Sequence, residues 1–306
     1  MTRVSTSESW NRALLDLMAA QKRQVEANSR VSTTKVATDL QGYGRKAESL
    51  TAFNTAHDRI ESFIEVGQLV KNRLESQDLA LNRVAEGAST ARQAIMDALA
   101  SGNGTGLRAV MQNHMLVAID GLNSKHHGRY LFSGGIEDSP PVTIETLAAL
   151  ETPNTVALAF VNGRSPTSPR IDETTVIETS FFADDVATGL MQAFKDFADA
   201  DTANGFDGPL TDAEKTLLGT LATQFETAHK HVLNQVAING SRQNRVESTL
   251  KSLESQSISL QNLIGERTDA DMAKAYSDMQ QAQIAVQATA QVISTLRSSS
   301  LLELLR

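Results

Sequence analysis

FNTAHDRIESFIEVGQLVKNRLESQDLALNRVAEGASTARQAIMDA, residues 53–98, is the stretch whose reading decides the fold. Within it Phe53, Ala56, Ile60, Phe63, Gly67, Val70, Leu74, Gln77, Leu81, Val84, Ala88, Ala91, Ile95 and Ala98 alternate in steps of three and four without a slip, and only Gln77 carries a polar side chain. This is a sustained heptad seam. At about 1.5 Å per residue the helix runs roughly 70 Å. A helix of that length cannot bury its stripe against itself, so the stretch predicts a second long helix as partner.

That partner lies near the other end. Leu218, Ala222, Phe225, His229, Val232, Val236, Asn239, Gln243, Val246, Leu250, Leu253, Ser257, Leu260 and Ile264 hold the same alternation. Thr211 followed by Asp212 and Glu214 is a helix start, a capping hydroxyl ahead of acidic residues in the first turn. Polar residues interrupt the stripe at Asn239-Gly240, which predicts a kink or a shared polar contact. Glycine clusters at Gly42-Tyr43-Gly44 and Gly102-Asn103-Gly104-Thr105-Gly106 break an otherwise helical first third.

Between the helical ends, about Ser133 to Ser180, the character changes. Five of the six prolines fall there: Pro140, Pro141, Pro153, Pro166 and Pro169. The segments 141–144, 155–161 and 174–179 favour strand, with Asn162-Gly163 as a turn, and predict a small β-rich insertion. Phe194 to Gly208 reads as a short helix and loop. The expected fold is mainly α: an elongated, coiled-coil-like bundle of long paired N- and C-terminal helices with a β-rich insertion. Residues 1–40 and 268–306 are its terminal assembly helices, 41–132 and 182–267 its helical core, and 133–181 the insertion.

The outer ends carry weaker stripes. Trp10, Leu14 and Met18, with Val25 further on, form one. Ala282, Val286, Thr289, Ile293 and Leu296 form another, followed by Leu301, Leu302, Leu304 and Leu305. Such stripes do not hold a single helix in water. They are expected to be mobile in the isolated chain and to order against neighbours.

Composition narrows the function. The 306 residues are 41% hydrophobic, 21% charged and only 5% aromatic, with net charge −8 and no cysteine. The acidic balance and lack of basic runs argue against nucleic acid. Disulfides, thiolate metal sites and cysteine nucleophiles are excluded. No run of apolar residues reaches membrane-spanning length; the uncharged stretch Gln280 to Leu296 is too rich in glutamine for lipid and reads as a protein-packing surface. The polar start, Met1 to Glu8, is not followed by a secretory signal, so if the protein leaves the cytoplasm it is expected to do so by a route that cleaves no ordinary signal. No nucleotide loop, nucleophile elbow or zinc-protease motif is present, and Gly102 to Gly106 lacks the lysine and preceding strand of a phosphate cradle. His126-His127 and His229/His231 diverge on a helix and make poor chelators. Catalytic, cofactor-binding and metal residues are therefore expected to be absent, and the chain is not expected to be an enzyme.

Two motifs carry a resemblance. Asn239-Gly240-Ser241-Arg242-Gln243-Asn244-Arg245-Val246-Glu247 is similar to the glycine-any-arginine-any-asparagine-arginine-any-glutamate signature in the C-terminal helix of bacterial flagellins, and the tail from Gln283 to Arg306 is similar to their closing helix. His127-Gly128-Arg129-Tyr130-Leu131-Phe132-Ser133-Gly134 resembles a motif of the hook–filament junction subgroup, the third hook-associated proteins, within that superfamily. In the bend after the first helix Asp39 fits the family pattern, whereas its usual proline is missing from Ala37 to Gly44.

The resemblance implies a secreted, extracellular structural subunit of the bacterial flagellum, exported unfolded through the flagellar type III channel. It would join the preceding hook-associated protein to flagellin. Implied partners are other copies of itself in a ring, those two proteins, and an export chaperone on the C-terminal helix. Nucleic acid and membrane insertion are not implied. A minor flagellin, or a secreted coiled-coil adaptor, is the alternative reading. Gly240, Arg242, Asn244, Arg245 and Glu247 are expected to set packing register. Arg129, Tyr130 and Phe132 are expected to form a strand leaving a helix, with Tyr130 and Phe132 on one face and Arg129 and Leu131 on the other.

Overall fold

The computed structural model describes residues 2–136 and 138–304, with side chains described for 8–136 and 138–297. Six α-helices dominate these residues: α1 (Thr2–Thr33), α2 (Ala47–Ser101), α3 (Leu107–Leu122), α4 (Ala183–Asn204), α5 (Asp212–Thr268) and α6 (Met272–Leu304). One antiparallel sheet of two short strands, β1 (Lys125–His126) and β2 (Arg129–Tyr130), follows α3. The chain divides into two compact units, Ile60–Ser255, and Met1–Arg59 with Gln256–Arg306.

In the unit formed by Ile60–Ser255, the heptad seam of α2 is buried at every position from Gly67 to Ala98. It meets α5 in antiparallel fashion. A Cβ on Gly67 would lie 2.6 Å from Leu250 Cδ2, and Arg92 reaches Glu226 at 3.6 Å. From Ala80 onward α2 buries a second face as well, including Ala80, Ala85 and Gly87. That face takes α3, which folds back through the glycine-rich turn. A Cβ at Gly121 would sit 2.8 Å from the Ala80 carbonyl, and one at Gly87 2.8 Å from the His114 carbonyl, so small residues permit backbone-to-backbone approach. The turn itself is stitched to the loop ahead of α5: Gly104 N donates to Gly208 O at 2.9 Å and Leu210 N to Gly102 O at 2.8 Å.

Helix α4 starts at Ala183, eleven positions before the expected Phe194. Its buried face, Val186, Leu190, Met191, Phe194 and Phe197, closes the core against α3 and α5. Phe194 and Phe225 meet edge-on with centroids 4.9 Å apart, and Phe197 packs on Phe206 at 5.9 Å. At the start of α5, Thr211 and Glu214 form a reciprocal capping box: Thr211 N donates to Glu214 Oε2 at 2.6 Å, and Glu214 N to Thr211 Oγ1 at 3.3 Å. The bond from Thr211 N, then one from the Thr211 hydroxyl at 2.7 Å, hold the Glu214 carboxyl below its usual range.

The segment 133–181 packs onto this same core. Val142, Leu147, Leu150, Val156 and Ala159 join the main cluster, while Ile171 and Ile177 join a second one with Val70, Leu74, Val246 and Leu250. Among its described residues the β character is limited to two isolated bridges, Val142↔Phe160 and Arg170↔Val176. Val156–Ala159, expected as strand, is a 3-10 turn, as is Leu147–Ala149. The prolines remove ladder donors, and Ala157-Leu158-Ala159 has little strand preference, so extended runs do not propagate into a sheet.

Gly134 closes the return of this segment. It takes φ +59° and stacks its backbone on Gly163; a Cβ there would stand 1.9 Å from the Gly163 carbonyl oxygen. Gly163 N donates to Ser133 O at 2.8 Å and Ser165 N to Gly134 O at 3.0 Å.

In the unit formed by Met1–Arg59 and Gln256–Arg306, α1 and α6 pack against each other. Phe53 and Ser49 of α2 meet Arg267 of α5, at 5.1 Å ring-to-guanidinium and 3.0 Å respectively. Between α1 and α2 the chain makes a 3-10 turn, Gln41–Lys46, broken at Gly44. Asp39 Oδ1 accepts from Gly42 N at 2.8 Å, the local bond that bends the chain without the proline.

Candidate assembly surface

The two arm helices run antiparallel: Lys35 pairs with Asp269, and Arg30 Nη1 lies 3.8 Å from Asp278 Oδ2. Their contact is made of the smallest apolar side chains. Ala13, Ala20 and Ala27 of α1 are buried, as are Ala275 and Ala282 of α6. The larger apolar residues face outward instead. Trp10 is 40% exposed, Leu14 49%, Met18 58% and Val25 68%; on α6 Ile284 is 64% exposed and Val292 53%. Burying a side chain of this size is worth about 1.5–3 kcal/mol. A row of them in water on a helix pair held by alanines is an unpartnered face. A shallow cavity of about 460 Å³ on α6 is lined by Ala288, Gln291, Val292, Thr295 and Leu296.

Trp10, Leu14, Met18 and Val25 thus stand on the outside of the arm pair. Val286, Ile293 and Leu296 are half-buried. Ala282 is a different case: it lies in the seam inside the chain and presents no outward surface. The side chains of Leu301, Leu302 and Leu304, and the whole of Leu305, lie outside the described residues. The alanine seam was readable as Ala13, Ala20 and Ala27 at strict spacings of seven, a signal masked by the bulkier residues beside it.

The central motif on α5 works differently from its expectation. The helix runs unbroken through Gly240. Asn239 is buried and Nδ2 donates to the Leu74 carbonyl at 2.9 Å; Gln243 Nε2 donates to the same oxygen at 3.0 Å. Register at this polar layer therefore rests on Asn239 and Gln243, while Asn244 and Arg245 are exposed. Arg242 turns toward the insertion, not the neighbouring helix. Its guanidinium lies 4.6 Å from the Phe181 ring, Nη1 donates to Ser180 O at 3.3 Å, and Nη2 is 3.7 Å from Glu178. Gln77, the polar exception in the α2 seam, donates to Thr179 O at 2.8 Å. Glu247 pairs with Lys251 one turn on. The other motif places Arg129 and Tyr130 in β2, with Lys125 Nζ 4.4 Å above the Tyr130 ring. Leu131 and Phe132 are both buried, so the expected alternation fails: the chain turns into the core right after Tyr130.

The adjacent histidines lie in the hairpin, not on a helix. His126 Nδ1 is 2.8 Å from Ser76 Oγ, and burial, then His127 and Arg73, push its pKa down. Among the described residues no group of three or more His, Asp or Glu side chains is placed to hold a metal, and no helix is long and apolar enough to cross a membrane.

Residues 222–305 match the family model described as the bacterial flagellin C-terminal helical region. No curated protein matches the sequence. Among solved structures, the fold is similar to a protein of Vibrio parahaemolyticus assigned as a flagellar hook-associated protein, at 14% identity and TM-score 0.59, over 73% of this chain and 97% of that one. It is also similar to Bacillus cereus FlgL, at 15% identity and TM-score 0.54, over 70% and 98% of the two chains. Residues 222–305 therefore carry the helical region that the flagellin C-terminal model describes, and the chain shares its fold with these two flagellar structures.

Proposed function

We propose that this protein is a structural subunit of the bacterial flagellum that joins the hook to the filament. The observation that carries the reading is the arm pair, whose alanine seam leaves Trp10, Leu14, Met18 and Val25 facing outward on α1, against a C-terminal helix within the flagellin-type region. Side-to-side contacts of this face with other copies build a ring. Its ends meet the preceding hook-associated protein on one side and flagellin on the other, and the arms complete their order when neighbours bury them. Before assembly an export chaperone covers α6, and the chain works outside the cell after type III export. The Gly128 to Gly134 motif favours a junction role over that of a minor flagellin.

Deletion of the gene in its own host, followed by electron microscopy, tests the reading. Hooks without filaments, with flagellin shed into the medium, are expected. Normal filaments would refute it, and purified protein that polymerises alone into long filaments would favour the minor-flagellin alternative.

A further inference from the structure

An alanine seam leaves one thing unspecified. Ala13, Ala20 and Ala27 recur one heptad apart, and Ala275 and Ala282 do the same on the opposing helix. Sliding one helix past the other by seven residues, roughly 10 Å, sets alanine on alanine again. Leu17 and Gln24, between the α1 alanines, are only half-buried and penalise such a slip weakly. Yet the outward face is a composite of both helices, so its pattern depends on register.

We propose that Lys35, Thr268 and Asp269 determine the register of α1 against α6, and thereby the pattern of side chains the arm pair shows to its neighbours. Immediately below the arms the two strands of chain are laced: Val36 N donates to Thr268 O at 2.7 Å, and Ala270 N to Thr34 O at 2.9 Å. Lys35 Nζ lies 2.5 Å from Asp269 Oδ1 and 3.1 Å from the hydroxyl of the buried Thr268. A main-chain bridge pairs one residue with one residue, and a slip of a single position breaks both bonds. The clasp leaves little slack. Helix α1 ends at Thr33 and α6 begins at Met272. Thr34, between α1 and Lys35, is held at φ +59°, a conformation costly for a branched residue. The clasp's register therefore passes directly into both helices. This pairing lies within one chain, so the inference stands or falls apart from the junction reading.

The absence of native cysteine makes disulfide trapping clean. Ala20→Cys with Ala282→Cys reports the observed register, and Ala27→Cys with Ala282→Cys reports the slipped one. In the otherwise unaltered chain the first pair is expected to dominate. With Lys35→Ala and Val36→Pro, which remove the ammonium and one main-chain donor, the ratio of slipped to native product is expected to rise about fivefold, the ratio that roughly 1 kcal/mol represents. The swap Lys35→Asp with Asp269→Lys, which keeps the bridge and the ion pair, is expected to retain the native ratio. Circular dichroism of each variant verifies that the helices persist. An unchanged ratio in the disrupted variant overturns the proposal, and so does the absence of the native-register product in the unaltered chain.

Discussion

Gly134 and Gly163 meet backbone to backbone, and neither has room for a side chain: a Cβ on Gly134 would fall 1.9 Å from the Gly163 oxygen, and one on Gly163 2.5 Å from the Gly134 oxygen. Gly134 also adopts φ +59°. Gly134→Ala combines a clash with backbone atoms and a left-handed conformation, and is expected to destabilise by about 3 kcal/mol or more. Gly240 is the counterpart with the opposite sign. It lies inside α5 with nothing within 4 Å of the added carbon. Gly240→Ala is expected to stabilise by up to about 1 kcal/mol. Urea unfolding followed by far-UV circular dichroism measures both, and equal effects of one sign would contradict the packing described.

The polar layer at Leu74 makes a second prediction. Asn239 and Gln243 donate to one carbonyl oxygen, so they share a partner. Asn239→Ala removes a buried donor and leaves a small cavity, an expected loss of about 1–2 kcal/mol. Because the two donors share one acceptor, their losses are expected to be coupled and not simply to add. Simple additivity in a double-mutant cycle would show that the two bonds are independent.

Arg242 holds the insertion to α5 through the Phe181 ring and the Ser180 carbonyl. Arg242→Lys keeps the charge and loses the planar stack, so about 1 kcal/mol is expected to disappear. Hydrogen exchange is expected to quicken at Ile177 and Thr179, whose amides bond to Pro169 and Thr167, while the α2 core stays protected. Uniform loss of protection would mean that the insertion does not open on its own.

These residues also mark how far the sequence was legible. The α2 and α5 seams repeat a three–four step too many times to arise by chance, so the long helices and their pairing were readable from Phe53 to Ile264. Flagellin-type motifs were readable too. What each motif residue touches was not. Asn239 reads as an interruption of the stripe but acts as its register pin, because a carbonyl partner 165 positions away leaves no mark in local pattern. Helix α4 begins eleven residues before Phe194, and the sequence signal for that start is Asp184-Asp185 in its first turn. The insertion's β-branched residues suggested strands, and prolines limited them to single bridges.

Asp269 predicts a pH dependence. The Lys35 ammonium, then the Thr268 hydroxyl, holds its carboxyl below the usual aspartate range. A depressed folded-state pKa contributes stability that is present above the unfolded value and is lost as pH falls through the folded one. The clasp is therefore expected to be intact at neutral pH and to weaken on acidification below the ordinary aspartate value of about 3.9. Carboxyl-carbon NMR of Asp269 reads this directly. In Lys35→Ala its titration is expected to move up toward that ordinary value, and a midpoint that does not move would place the cause elsewhere.

The outward face supplies the last prediction. Trp10, Leu14 and Met18 lie on the side of α1 away from the alanine seam, so polar replacements there cost the single chain little. Leu14→Ser with Met18→Ser is expected to change stability within about 0.5 kcal/mol. On the proposed reading neighbours enclose the same side chains in the assembly, and each would lose about 1.5–3 kcal/mol of burial when replaced. A ring repeats that loss at every interface, so a modest defect per copy becomes failure of assembly. Cells carrying the double variant in place of the natural chain are expected to secrete it and yet to bear hooks without filaments. Trp10, the single tryptophan, supplies the matching measurement in the natural sequence. Its emission is expected to shift to shorter wavelength on incorporation, as water leaves the indole. Normal filaments from the double variant, with Trp10 emission unchanged on assembly, would show that this face points to solvent in the finished structure.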